Sequence, residues 1–183
     1  MGFATRAAVV PQVDMASPLR YNEPHLRGDT HMSVVLFVCT GNICRSPMAV
    51  GLLRQRLSQE GLASRFKVFS AGVWALDNHP ASDKAIAVMA ERGIDITDHI
   101  AHTITYDDIA ESDLILVMGR EHTDVIRNTW PQYAWKVHWL SEMVGKRRNI
   151  QDPYGSTVEE YRACADTLST YIDEGFERIL ELT

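Results

Sequence analysis

Five apolar residues, Val34 to Val38, run straight into Cys39-Thr40-Gly41-Asn42-Ile43-Cys44-Arg45-Ser46-Pro47. A short, mostly β-branched apolar run reads as a buried strand. Ser46-Pro47 reads as a helix start, with a capping hydroxyl followed by proline at the first helical position. Strand, tight loop and helix N-terminus in that order commit the chain to a βα unit, and a parallel neighbour then requires a crossover.

The remainder repeats this alternation. Pro47 to Glu60 is expected to be a helix with Met48, Leu52, Leu53 and Leu57 inward and Gly61 as its stop. Phe66 to Ser70 is a short strand, and Pro80 to Arg92 a second helix ended by Gly93. Leu114-Ile115-Leu116-Val117 is a buried parallel strand by its continuous apolarity. Glu121 to Asn128 reads as a short helix and Lys136 to Trp139 as a fourth strand. Ser156 and Glu159 spell a capping box for a last helix running to about Leu182. Its buried face carries Tyr161, Ala165, Leu168, Ile172, Phe176 and Ile179. The expected fold is α/β, a four-stranded parallel sheet with helices on both faces. Ligands of such folds sit at the C-terminal ends of the strands, which is where Cys39 lies.

The loop itself builds an anion cradle. The six backbone N–H groups of Thr40, Gly41, Asn42, Ile43, Cys44 and Arg45 can curl round one tetrahedral anion. Gly41 and Asn42 are the two residues there that tolerate left-handed backbone. The helix N-terminus aims its free donors at the same point, and Arg45 adds a planar fork for two phosphate oxygens. The same positive surroundings favour a Cys39 thiolate, the nucleophilic form of cysteine. A nucleotide-binding P-loop would need a lysine before the serine, and Arg45 stands there instead. Together these features point to phosphoryl transfer through a phosphocysteine.

Val38 to Pro47 resembles the active-site loop of the low-molecular-weight protein tyrosine phosphatases. The resemblance continues through Ser70-Ala71-Gly72, Gly93-Ile94, His99-Ile100-Ala101 and Asp152-Pro153-Tyr154-Gly155. It covers roughly Ser33 to the C-terminus, with similarity to the bacterial branch and to protein-arginine phosphatases. Phosphate ester cleavage needs a proton donor for the leaving oxygen. An isolated Asp-Pro is usually a turn, but the resemblance implies that Asp152 is the general acid and Cys39 and Arg45 its catalytic partners. It also implies that Asn42, Ser70 and His99 support the loop, and that Ser46 donates to the thiolate. Ile43, Trp74 and Tyr154 are implied to line the substrate cleft, although gapless counting puts Leu76 at the aromatic wall position. Cys44 could form a reversible disulfide with Cys39, or it could simply pack; Cys164 reads as core.

The substrate reading turns on Ile43. Tyrosine-specific members carry isoleucine there and the arginine-directed ones threonine. A branched apolar side chain can pack on a phenyl ring and has no hydroxyl to assist attack on a phosphoguanidinium. Phosphotyrosine is therefore favoured over phosphoarginine. Arsenate reduction on the same scaffold needs two further cysteines well after the loop, and residues 80–130 contain none. A phosphate-binding module would need the cradle but neither the thiol nor the acid.

Composition limits the partners. The 183 residues suit one domain of ordinary size, and a net charge of −6 argues against nucleic acid. No apolar run approaches a membrane span. Three cysteines are too few for a disulfide framework, which suggests a cytoplasmic protein. The cysteines and His79, His99 and His102 follow no metal-ligand spacing, and the expected chemistry needs neither metal nor cofactor. The expected partner is a phosphorylated protein. Residues 1–31, with Pro11, Pro18, Pro24 and Gly28, read as a disordered extension or an upstream-start artefact ahead of a domain at 32–183. A targeting peptide fits them less well.

Overall fold

The structure, a computed structural model, describes residues 32–183. The expected N-terminal extension lies outside the described residues. Four strands form one sheet: β1 (Ser33–Cys39), β2 (Phe66–Gly72), β3 (Leu114–Val117) and β4 (Val137–Trp139). Their order is β2-β1-β3-β4 and every pairing is parallel. The helices are α1 (Arg45–Gln59), α2 (Asp83–Glu91), α3 (Tyr106–Glu111), α4 (Arg120–Thr129), α5 (Val158–Glu174) and α6 (Phe176–Glu181).

Alternation along the strands splits the interior into two cores. Val35, Phe37, Leu114 and Leu116 face the larger one, with Met48, Leu52, Leu53 and Leu57 of α1 and the buried stripe of α5 and α6. Leu36, Val38, Ile115 and Val117 face the other, with Ile109 of α3 and Ile126 of α4. Helices thus cover both faces, as a parallel sheet buried on both sides requires. The chain leaves β1 toward one face and β3 toward the other. Cys39 ends β1 at the crevice this divergence opens.

Local chemistry moves several boundaries. α2 begins at Asp83 rather than Pro80, because Pro80 bridges to Ile100 and the Ser82 hydroxyl accepts the Ala85 N–H as N-cap. The capping box at α5 is Thr157 with Glu160, one residue beyond the expected pair; Ser156 instead closes a turn onto Pro153. The last helix breaks at Gly175, where a Cβ would lie 2.5 Å from Met143 Cβ and 2.7 Å from the Tyr171 carbonyl. Its expected inner face is nevertheless buried throughout. α3 is an element the periodicity does not reveal; it is one and a half turns held by a Thr105–Asp108 capping box.

One contact couples sheet and loop. Gly72 pairs with Cys39, and a Cβ on it would come within 2.5 Å of the Thr40 carbonyl and 3.0 Å of Ala75. Backbone on both sides leaves little room to yield. Gly72→Ala is expected to lower the unfolding free energy by about 2 kcal/mol. Urea denaturation checks this, and an unchanged midpoint would mean that the loop can retreat from the strand.

Candidate active site

The loop after β1 is shaped by what its carbonyls do. The Cys39 carbonyl accepts Val73 N–H at 2.9 Å, Thr40 accepts Trp74 at 3.1 Å, and Gly41 accepts Leu76 at 3.0 Å. Asn42 accepts His99 Nε2 at 2.6 Å, Ile43 accepts Ser82 N–H at 2.8 Å, and Cys44 accepts Met48 N–H at 3.3 Å. All six carbonyls are therefore drawn away from the loop's centre. In a planar trans peptide the N–H points opposite to the C=O. The six amides of Thr40 to Arg45 consequently face inward, giving an anion nest at the N-terminus of α1.

Asn42 makes that curl possible. It is fully buried with φ 57°, a left-handed conformation that asparagine tolerates better than other non-glycine residues. Gly41 does not use the left-handed region, and a Cβ there would meet only Ile43 Cγ1 at 3.7 Å, an ordinary contact. The Asn42 side chain is fully engaged. Its Nδ2 donates to Ser46 Oγ at 2.8 Å and to Ser70 Oγ at 2.9 Å, and its Oδ1 accepts the His102 N–H at 3.1 Å.

Ser46 does not cap α1. α1 opens at Arg45 with Cys44 in the N-cap position, and no side chain caps it. Ser46 and Pro47 lie inside the first turn. The Ser46 hydroxyl instead lies 2.9 Å from Cys39 Sγ. With the Asn42 amide donating to it, its own proton is free to go to the sulfur. The relay thus runs Asn42 to Ser46 to Cys39.

Arg45 is buried and reaches three acceptors. Nη1 donates to the Ile150 carbonyl at 3.1 Å; Nη2 donates to Thr40 Oγ1 at 3.1 Å and to Asp152 Oδ2 at 2.5 Å. Its Nε is buried with no protein partner, a donor suited to a phosphate oxygen. Asp152 is partly exposed and its other oxygen accepts Tyr154 N–H at 3.1 Å, which fixes the Asp-Pro-Tyr turn over the loop. Cys39, Thr40, Gly41, Ile43, Cys44, Arg45 and Asp152 line one cleft. Its upper walls are Trp74, Leu76 and Tyr154, all substantially exposed. Both Trp74 and Leu76 reach the cleft, so the choice between them does not arise.

Asn42, Ser46, Ser70 and His99 stand behind the loop rather than in the cleft. Burial pushes the His99 imidazole below its ordinary range, partly offset by its bond to the Asn42 carbonyl. Cys44 is a free thiol whose sulfur lies 3.1 Å from Tyr161 Oη and 3.4 Å from Ser82 Oγ. Burial raises its pKa. Cys164 is also free and buried, and burial pushes it up to about 12.

His122 is the residue that sequence reading did not single out. It is fully buried in α4, and its Nε2 lies 3.0 Å from Thr40 Oγ1. Only the strand-end position of the preceding Met118-Gly119 hinted that this turn faces the loop. Burial first, and then the Arg45 charge, lower its pKa from 6.5 to about 4. A basic group depressed on folding binds more protons when unfolded, so its contribution to stability is complete above about 6.5 and lost as pH falls toward about 4. Thermal unfolding between pH 7 and pH 4 should show this decline, less steeply in His122→Gln; equal slopes would assign the acid sensitivity to other groups.

Comparison with known proteins agrees with this geometry. Residues 34–181 match the family model described as low molecular weight phosphotyrosine protein phosphatase. A probable low molecular weight protein-tyrosine-phosphatase, EpsP of Ralstonia nicotianae, is 38% identical over 151 residues, spanning 82% of this chain and 99% of that protein. A protein-arginine-phosphatase of Bacillus subtilis is 36% identical over 135 residues, spanning 73% and 88%. The crystal structure of a low molecular weight protein tyrosine phosphatase from T. tengcongensis superposes with a TM-score of 0.76 at 40% identity, covering 80% of this chain and 99% of that one. Among the described residues no helix is long and apolar enough to cross a membrane. The chain, with its inward-facing amides, its Cys39–Arg45 spacing and its aspartate over the cleft, belongs to the low molecular weight phosphotyrosine protein phosphatase family.

Proposed function

We propose that this chain, through a catalytic domain at residues 32–183, hydrolyses phosphotyrosine in cytoplasmic proteins by way of a phosphocysteine. The observation that carries the reading is the convergence of Cys39, Arg45 and Asp152 on one cleft with apolar walls. The phosphoryl group sits in the amide nest with Arg45 on its oxygens. Cys39 attacks phosphorus; the bond to the tyrosyl oxygen breaks, and Asp152 gives its proton to that oxygen. Asp152, now a carboxylate, takes a proton from the water that attacks the phosphocysteine. The sulfur leaves as a thiolate stabilised by the Ser46 hydroxyl. Asn42, Ser70 and His99 keep the loop curled throughout. The reaction consumes one water and needs no metal or cofactor in any step.

Asp152 must swing from Arg45 to the leaving oxygen. Its partial exposure and its place in a turn support such a movement. Ile43, Trp74, Leu76 and Tyr154 offer apolar surface to a phenyl ring. Phosphoarginine is the second reading, supported by the similarity to the Bacillus subtilis protein-arginine-phosphatase. A phosphoguanidinium would gain less from these walls, since its body is polar.

Two experiments test this. Cys39→Ser should abolish turnover of an aryl phosphate while inorganic phosphate still binds, and Asp152→Asn should cut kcat by about 10²- to 10⁴-fold. Full activity in the serine variant would rule out the phosphocysteine. Phosphotyrosine and phosphoarginine peptides should then be compared for wild type and Ile43→Thr. Wild type is expected to prefer phosphotyrosine and Ile43→Thr to shift toward phosphoarginine; a wild-type preference for phosphoarginine would reverse the ranking.

A further inference from the structure

His122 has no part in the chemistry above, yet it is buried against the phosphate loop. Its Nε2 lies 3.0 Å from Thr40 Oγ1, and that oxygen lies 3.1 Å from Arg45 Nη2. A guanidinium can only donate. The Thr40 hydroxyl therefore accepts from Arg45, and its single proton is available to His122 Nε2. In that arrangement Nε2 is the bare nitrogen and the ring proton sits on Nδ1. Nδ1 is buried with Glu121 Oε1 3.6 Å away, and a backbone hydrogen bond to Gly119 favours a proton on the ring.

We propose that His122 is a positioning residue for phosphate capture: as a neutral acceptor it fixes the Thr40 hydroxyl, which in turn holds the Arg45 guanidinium in the plane that meets the phosphoryl oxygens. The inference rests on Arg45 binding the phosphoryl group, as proposed above. Three acceptors now hold the guanidinium: Ile150 O, Asp152 Oδ2 and Thr40 Oγ1. Once Asp152 turns to the leaving oxygen, Ile150 O and Thr40 Oγ1 remain. A Thr40 hydroxyl released from His122 could rotate and aim its proton at Arg45, turning an anchor into a repulsive contact. The charges around the ring are consistent with the neutral form. Arg45 opposes its protonation, Glu121 and Asp152 favour it more weakly, and burial decides the balance at a pKa of about 4.

A residue that merely fills space would tolerate any side chain of similar volume. A positioning acceptor would not. The test measures inhibition by inorganic phosphate, together with kcat and KM for an aryl phosphate. It compares Thr40→Val, Thr40→Ser, His122→Leu, His122→Gln and the Thr40→Val/His122→Leu pair. Thr40→Val and His122→Leu should each weaken phosphate binding about tenfold, the size expected for a lost hydrogen bond to a charged group. The double variant should lose no more than the weaker single variant, because both break one relay. Thr40→Ser keeps the hydroxyl and His122→Gln can keep an acceptor; both should stay within about threefold of wild type. Wild-type phosphate affinity in His122→Leu, or losses that multiply in the double variant, would overturn the proposal. Should His122→Leu fail to fold, Thr40→Val with undiminished phosphate affinity overturns it, whereas a loss that Thr40→Ser restores supports it. Wild type lacking both phosphate binding and aryl phosphate turnover would instead defeat the underlying phosphatase reading, before any variant is compared.

Discussion

The outward pull on six consecutive carbonyls holds this site together. A loop whose amides all face one point is unfavourable by itself, because the parallel dipoles repel and no internal bond satisfies them. Here the penalty is offset from outside: the 73–82 segment supplies four backbone donors, α1 supplies Met48, and His99 supplies the sixth. Asn42 is the pivot. Its left-handed backbone reverses the chain, and its buried amide bonds Ser46, Ser70 and the backbone of His102. Each of those partners lies on a different segment, so the loop's shape is set by the packing of β2 and the 99–102 turn as much as by its own sequence.

The same carboxamide and guanidinium chemistry gives two relays their direction. An amide N–H and an arginine N–H can only donate. Asn42 therefore orients the Ser46 proton toward Cys39, and Arg45 orients the Thr40 proton toward His122. One relay ends on the nucleophile and the other begins on the phosphate-binding fork. The Ser46 relay is buried, where hydrogen bonds are stronger than at the surface, and the Thr40 relay is part-buried beside the cleft. A chain of net charge −6 can thus hold an anion, because the favourable field is built from local dipoles and one buried arginine rather than from overall charge.

What the sequence revealed follows contact distance along the chain. The loop was readable because its nucleophile, nest and arginine are separated by only a few residues, between a strand and a helix. The sheet was readable because its strands are buried on both faces and hence uniformly apolar. His122 was not, since it meets Thr40 from 82 positions away and nothing local distinguishes it from a core histidine. The capping reading of Ser46 failed for a related reason: a serine before a proline suits a cap, but here the hydroxyl is engaged by the Cys39 sulfur and the Asn42 amide. The Ser156 and Thr157 alternatives both satisfy the capping pattern, and only the turn onto Pro153 selects the second. Gly175 stands at the break in the last helix, where Met143 packs too close for a Cβ, a constraint that periodicity does not carry.

Cys39 and Cys44 show how one loop separates two identical side chains. Cys39 lies at the end of β1, where the sulfur meets the Ser46 hydroxyl and opens onto the cleft floor. Cys44 turns toward the larger core, between Tyr161 and Ser82. Burial there raises its pKa, against the opposing pull of its contacts with Ser82 and Tyr161. A sulfur kept protonated is a poor nucleophile and a poor metal ligand. The Tyr161 hydroxyl is itself pushed up to about 12, chiefly by burial, so the pair shares a proton economy that stays neutral across physiological pH. The two readings of Cys44, packing thiol and redox partner, therefore differ in what they require. Packing uses the arrangement as it stands. A bond to Cys39 would require the Cys44 sulfur to leave both hydroxyls and the loop to bend against six outward-held carbonyls.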